Sequence, residues 1–350
     1  MKKARVAING FGRIGRLFFR QAFDLKDIEI AAVNDLGDIE NLAYLLKYDT
    51  VYGCYKESVK ADKKSNELIV EGKRIKVLQI KEPRELPWKN LKIDIAIEAT
   101  GFFESYDKAK AHITAGAKRV IITAPAKDPD GSTGSPHGGT EGKTVLMGVN
   151  EGELKKTVLT SNGSCTTNAA SPVIQIMSEN PGIKKAILNT VHGYTATQNL
   201  VDGPTKGSDL RRGRAAAQNI VPSTTGAAIA VTRAIPELEG KFDGMAIRVP
   251  VLTGSIADIT FLSKRKVTVE EINNIFREAA ESQRWQGILR VTDEQLVSSD
   301  IIGMPYGAIV DLNFTKVIDG DLVKVLSWYD NEFGYVSTLV RHVQNVASFI

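Results

Sequence analysis

The hydrophobic pattern divides this chain into runs of two kinds. Ala4 to Asn9 is a short apolar run with strand character. Leu17, Phe18 and Ala22 then recur at helical spacing, and a second apolar run, Ile28 to Val33, ends at Asn34-Asp35. Between residues 56 and 80, β-like runs alternate with polar turns, as where Leu68-Ile69-Val70 meets Glu71-Gly72, and predict an antiparallel excursion. Ile93 to Ala99 predicts a buried strand closed by Thr100-Gly101. A helix carrying Ala109, Ile113 and Ala117 follows, then a strand from Arg119 to Thr123. This β-α-β rhythm predicts a parallel sheet covered on both faces.

The later half has a different pattern. Thr157 to Thr160 reads as a strand that leads through Ser161-Asn162-Gly163-Ser164 into a helix opening at Cys165. Pro172 falls inside that helix, where a kink is expected. Ala186 to Val191 is apolar and strand-like, with His192 at its end. Val310, Leu312 and Phe314 alternate with Asp311, Asn313 and Thr315, which predicts one buried and one open strand face. Thr268-Val269-Glu270-Glu271 reads as a capping box before an apolar stripe at Ile272, Ile275, Phe276, Ala279 and Ala280. Strands followed by segregated helices predict an α+β domain. A final helix, Phe333 to Ile350, is expected to pack back on the first domain.

The turn after the first strand is Gly10-Phe11-Gly12-Arg13-Ile14-Gly15. Strand, glycine turn, helix, second strand and acid stand in the order of a dinucleotide fingerprint. Gly10 suits a tight turn, Gly12 an approach of backbone to pyrophosphate, and Gly15 close packing of helix on strand. Asp35 falls 20 residues after Gly15, placed to accept hydrogen bonds from the adenosine ribose.

At 350 residues two domains are expected. The chain has two cysteines, Cys54 and Cys165, too few for a disulfide framework and suited to a reducing compartment. The opening apolar run is too short for a signal peptide, and no run of about 18 apolar residues occurs. A cytoplasmic protein without membrane contact is therefore expected. The net charge of +4 permits anionic substrates, while the absence of a dense basic block argues against nucleic-acid binding. Pro125 to Gly142, rich in turn residues and including His137, reads as a surface segment.

Cys165 is the candidate nucleophile, because the positive field of a helix start lowers a thiol pKa. Cys54 has no such setting and reads as structural. His192, at a strand end, is the candidate base. His112 and His342 fall in helices and read as surface or packing residues. No Cys/His spacing fits a zinc site, so no metal is expected. Arg211, Arg212, Arg214 and Arg248, with Thr224-Thr225-Gly226, offer anion contacts. A dinucleotide, a thiolate, a base and phosphate contacts suit oxidation of an aldehyde through a thioester. A Cys-His hydrolase would leave the fingerprint unexplained.

At these residues the chain resembles phosphorylating glyceraldehyde-3-phosphate dehydrogenase over almost its full length. The resemblance rests on Asn9 to Arg16, Ser164-Cys165-Thr166-Thr167-Asn168, His192 to Gln198, Val201 to Pro204, Ser223 to Ala228, Gly244 to Pro250 and Ser327 to Glu332. It implies a Rossmann-type α/β dinucleotide-binding domain, residues 1–164 completed by helix 332–350, and an α+β catalytic domain, 165–331, with a mostly antiparallel sheet. Cys165 and His192 would be catalytic. Gly10, Gly12, Arg13, Ile14, Gly15 and Asp35 would hold NAD. Lys81 stands where an arginine often contacts the adenosine half; Thr100 and Thr123 would line the path. Asn331 would bond the nicotinamide amide with Tyr335 nearby. Thr195 and Arg248 would bind the substrate phosphate, close to Thr197. Ser164, Arg212, Thr225 and Gly226 would bind inorganic phosphate, and Thr166 falls in the same substrate region. Leu36, Asp35 and Pro204 favour NAD over NADP. The resemblance also implies a homotetramer, with erythrose-4-phosphate dehydrogenase as the nearest rival. A nucleic-acid-binding or scaffolding protein on the same fold is the rival of another class. Two departures stand out: Ala169 replaces a familiar second cysteine, and the Pro125–Gly142 loop is longer than usual by about a dozen residues.

Overall fold

A computed structural model describes residues 3–128, 142–205 and 209–350. The chain divides into two compact units, Met1–Gly163 with Leu339–Ile350, and Ser164–Thr338. The helix Phe333–Ala347 therefore starts in the second unit and belongs to the first from Leu339 onward. His137 and most of the Pro125–Gly142 segment lie outside the described residues.

The first unit is built on a nine-stranded sheet. Its order is Gly142–Thr144, Leu159–Ser161, Arg119–Ile122, Ile95–Glu98, Ala4–Asn9, Ile28–Asn34, Lys73–Leu78, Glu67–Val70 and Val59–Asp62. The first seven strands pair in parallel, and only the last two pairings, in the expected excursion, are antiparallel. The central strands are buried on both faces, which is why Ile95–Glu98 reads as a continuous run rather than an alternating one. Ala7, Ala96, Val120, Trp88 and Tyr106 belong to one core layer.

The helix expected over Ala109 to Ala117 is broken. Two short helices, Tyr106–Ala109 and Ala111–Thr114, meet at Lys110, and Ala117 lies beyond them. Gly116 takes φ +107°, a left-handed conformation that stops a helix where the chain must turn into its strand.

The second unit holds a seven-stranded mixed sheet ordered Val221–Thr224, Phe242–Val249, Ile183–Gly193, Ser255–Ser263, Leu322–Tyr329, Ala308–Ile318 and Leu289–Thr292. Four of its six pairings are antiparallel. The helices Cys165–Glu179, Ala227–Ala234 and Val269–Glu281 pack against it. Along Ser255–Ser263 the alternation is strict: Ala257, Ile259 and Phe261 are buried, while Ile256 and Leu262 are half-buried. The alternation predicted at 310–315 slips. Phe314 is exposed and Thr315 buried, because an irregularity in pairing between Asp311 and Lys316 turns the strand by one residue. Cys165–Glu179 runs through Pro172 as one helix. Thr268 caps Val269–Glu281 by accepting from the Glu271 N–H.

Candidate active site

In the first unit, Gly10 has φ +96°, and a Cβ there would stand 2.6 Å from Thr100 N. A Cβ on Gly15 would overlap the Gly10 carbonyl oxygen. Gly12 differs: no atom lies within 4 Å of its ideal Cβ position, and it caps the helix Arg13–Ala22 without a side-chain hydrogen bond. The first N–H groups of that helix are thus left for an anion. Arg13 and Ile14 open the helix, with Arg13 paired to Asp49. Asp35 accepts from Phe11 N–H at 2.7 Å and Gly37 N–H at 2.9 Å, which ties the acid to the glycine turn. An open helix start beside a fixed carboxylate fits the pyrophosphate and ribose of a dinucleotide. Lys81 is exposed.

A buried polar network underlies this turn and was not apparent from the sequence. Asn9 Nδ2 donates to Glu98 Oε2 at 2.6 Å, and His112 Nε2 lies 3.0 Å from the same oxygen. Trp88 Nε1 donates to His112 Nδ1 at 2.9 Å, so the proton of the neutral ring sits on Nε2 and is shared with Glu98. Thr100 N–H and hydroxyl both donate to Glu98 Oε1, and the Thr123 hydroxyl donates to the Glu98 carbonyl at 3.0 Å. The charge that Glu98 buries is therefore met by four donors. His342 is also fully buried: it lies 2.9 Å from Thr160 Oγ1 and 3.0 Å from Asn162 Oδ1. Both histidines are packing residues; the surface placement allowed from sequence does not hold for either.

In the second unit the helix Cys165–Glu179 opens with a reciprocal cap. Ser164 Oγ accepts from Thr167 N–H at 3.1 Å, while Ser164 N–H donates to Thr167 Oγ1 at 3.2 Å. Cys165 is the first helical residue, and the N–H groups of Cys165 and Thr166 act on its sulfur. Sγ lies 3.3 Å from His192 Nε2. His192 is held at the end of Ile183–Gly193, with Nδ1 2.6 Å from Gly193 O and 2.8 Å from Arg248 Nη1.

The electrostatics correct the expectation of a depressed thiol pKa. Burial pushes the Cys165 thiol up, and this outweighs Arg248 and the helix-start N–H groups, which act downward. Burial, with the charge of Arg248 second, pushes His192 down to about 3.

Around this pair, Arg212 donates to Thr197 Oγ1 at 3.0 Å and to Ser223 Oγ at 2.8 Å, and Thr195 Oγ1 is 2.9 Å from Thr197 Oγ1. Thr225 Oγ1 accepts from Ala227 N–H at 3.2 Å, and exposed Gly226 starts the helix Ala227–Ala234 without a side-chain cap. Tyr329 has no signal in the sequence beyond its place in a motif. Its hydroxyl lies 2.8 Å from both Thr166 Oγ1 and Thr190 Oγ1. The carbonyl oxygen of Asn331 accepts from Thr253, Gly254 and Ser255, leaving its amide N–H groups as donors. Tyr335 is buried in the last helix, and Cys54 is exposed in a two-residue strand.

Comparison with known proteins decides the family. Residues 4–106 match the NAD binding domain of glyceraldehyde 3-phosphate dehydrogenase, and residues 164–331 match its C-terminal domain. The chain belongs to the glyceraldehyde-3-phosphate dehydrogenase family. It is 51% identical over 340 residues to the glyceraldehyde-3-phosphate dehydrogenase of Thermotoga maritima, covering 96% of this chain and 97% of that one. The enzyme of Streptomyces coelicolor is 47% identical over 339 residues, 96% of each chain. That of Clostridium pasteurianum is 44% identical over 347 residues, 98% of each. The glycine turn and Asp35 accordingly lie in an NAD-binding domain, and Cys165 and His192 in the dehydrogenase's C-terminal domain.

Proposed function

We propose that this chain oxidises glyceraldehyde 3-phosphate with NAD and inorganic phosphate, giving 1,3-bisphosphoglycerate and NADH through a thioester on Cys165. The observation that carries the reading is the Cys165 sulfur, 3.3 Å from His192 Nε2 at a capped helix start. His192 takes the thiol proton as sulfur adds to the aldehyde carbon. The hemithioacetal oxyanion is held by the Cys165 N–H and the imidazole. NAD, when bound, supplies the acceptor for the hydride of that carbon. Inorganic phosphate then attacks the thioester, and sulfur leaves as the thiolate.

Cofactor contacts fall to Gly10, Gly12, Arg13, Ile14, Gly15, Asp35, Lys81, Thr100, Thr123, Asn331 and Tyr335. Thr195, Thr197 and Arg248 hold the substrate phosphate; Ser164, Thr166, Arg212, Thr225 and Gly226 serve the attacking phosphate. Asp35 repels a ribose 2′-phosphate, so NAD is preferred over NADP.

The assembly is a homotetramer working in the cytoplasm. Two observations support this reading: Ile187, Met245 and Phe314 leave apolar surface open on the second unit, and among the described residues no helix is long and apolar enough to cross a membrane.

NADH absorbance with glyceraldehyde 3-phosphate, with and without inorganic phosphate, tests the function. Erythrose 4-phosphate serves as the competing aldehyde. Turnover should require phosphate, favour the triose and vanish in Cys165→Ser. A serine variant that keeps near-normal turnover defeats the mechanism, and a preference for the four-carbon aldehyde defeats the substrate.

A further inference from the structure

Asn331 is held by a turn that fixes which end of its amide faces inward. Its Oδ1 accepts from the Ser255 hydroxyl at 2.9 Å, and from the Gly254 N–H and the Thr253 hydroxyl at 3.2 Å each. Thr253 and Gly254 lie in the bend between the strands Phe242–Val249 and Ser255–Ser263, and Ser255 opens the second of them. Thr253, Ser255 and Asn331 are all buried. The amide nitrogen of Asn331 meets no acceptor among the described residues.

The Ser255 hydroxyl is the donor whose direction is set from two sides. Its Oγ accepts from the Gly193 N–H at 3.2 Å. A backbone N–H can only donate, so that bond takes a lone pair of Oγ and leaves the hydroxyl proton to be placed elsewhere. Among the described residues its acceptor is Asn331 Oδ1. Thr253 is held less firmly to the amide, because its single proton is shared between Asn331 Oδ1 and the nearer Asp330 Oδ1 at 3.0 Å. With the amide turned over, the Gly254 N–H would face an NH2 group, and the buried Ser255 proton would have no acceptor. Leaving such groups unpaired away from water is costly. Asn331 therefore presents its N–H groups, and not its oxygen, on its open side.

We propose that Ser255 is a positioning residue for the cofactor. Its hydroxyl carries the fixed direction of the Gly193 N–H through to Asn331, and so makes the asparagine a donor to the carbonyl oxygen of the nicotinamide carboxamide. The NH2 end of the carboxamide is left to other groups, because an amide nitrogen has no lone pair to offer it. Gly193 directly follows His192 on the strand Ile183–Gly193. One hydroxyl thereby joins the strand end that carries the base to the residue that meets the cofactor. This deepens the reading of Asn331 as a contact of the nicotinamide amide and rests on it.

Such an arrangement selects at one atom. In thionicotinamide adenine dinucleotide a sulfur replaces the carboxamide oxygen, and sulfur accepts hydrogen bonds weakly. A firmly held Asn331 gains on the oxygen and not on the sulfur. An Asn331 free to rock or turn gains on neither. Loss of the Ser255 hydroxyl therefore costs affinity for the oxygen cofactor alone, whereas a general loosening of the domain would cost affinity for both.

The test is calorimetric titration of the full chain with NAD and with thionicotinamide adenine dinucleotide, with no aldehyde present. Wild type should bind NAD more tightly, by about tenfold, the worth of one well-placed hydrogen bond. Ser255→Ala should weaken NAD by a similar factor and leave the thio analogue nearly unchanged, so that the two affinities converge. Ser255→Cys, close in shape and a weak donor, should do the same, and serves if the alanine variant does not fold. Variants that keep the wild-type ratio of affinities overturn the inference, and so does a wild type that binds both dinucleotides equally. Asn331→Ala separates the two readings. If it brings the affinities together while the Ser255 variants do not, the contact with the carboxamide stands and the role of Ser255 falls. If it binds NAD as tightly as wild type does, the contact falls and the role of Ser255 with it.

Discussion

Tyr329 meets the ring of His192 edge-on, with centroids 5.9 Å apart and planes at 75°. The tyrosine is itself fixed at its far end by Thr166 and Thr190. The base is thus oriented from the side by a group that is anchored on the nucleophile's own helix. A rigid imidazole at a strand end needs such a buttress, because a ring turned by a few tens of degrees no longer aims Nε2 at sulfur.

Tyr329→Phe keeps the ring contact and removes the hydroxyl. Two buried threonine hydroxyls then lose a partner, at a cost of about 1–3 kcal/mol. We expect a lower midpoint in urea unfolding, with kcat reduced more than KM is raised. A variant as stable and as fast as wild type would show that the hydroxyl orients nothing.

Buried neutral histidines make the fold sensitive to acid. His192 and His342 are both held down to about 3, His342 by burial alone. Their unfolded pKa is ordinary, about 6.5. Between the two values the unfolded chain binds more protons, so stability is complete above the unfolded pKa and falls as pH drops toward 3. Each histidine contributes up to about 1.4 kcal/mol per pH unit in that window. Urea titrations at several pH values should show His342→Gln with a shallower slope than wild type by one proton. Equal slopes would mean that His342 is charged in the folded protein.

Gly15→Ala puts a methyl into the Gly10 carbonyl oxygen. Helix and turn must separate, and overpacking of this kind costs about 1–3 kcal/mol. Because the same turn carries Asp35 through Phe11 N–H, NAD affinity should fall along with stability. Calorimetric NAD titration and thermal unfolding check both; Gly12→Ala, with open space around it, is the control for stability.

The strands of the first unit were readable because a parallel sheet buried on both faces demands uninterrupted apolar runs, as at Ala4 to Asn9 and Ile95–Glu98. The second unit was harder to read. At Phe314 one irregular pairing reversed which residues face the core, and nothing local to the sequence signals such a slip. The short helices around Lys110 were hidden because helical periodicity spans the break. Ser164 and Thr167 could have been foreseen as a reciprocal cap; threonine simply replaces the more familiar glutamate at the third position.

Local spacing determined the glycine turn, the acid after it, the cysteine at a helix start and the histidine at a strand end. Each depends on backbone geometry within a few residues. Partners were decided only by the tertiary structure. Glu98 with His112, His342 with Asn162, Tyr329 with Thr166 and Arg248 with His192 are all distant in sequence. Their meeting depends on strand order and on which face each strand turns inward. The charge state followed the same division. A helix start argues for a thiolate, but how far a sulfur and an imidazole are taken out of water is a property of the packed protein. Here burial pushes the Cys165 thiol up, against the local field, and pushes the His192 imidazole down.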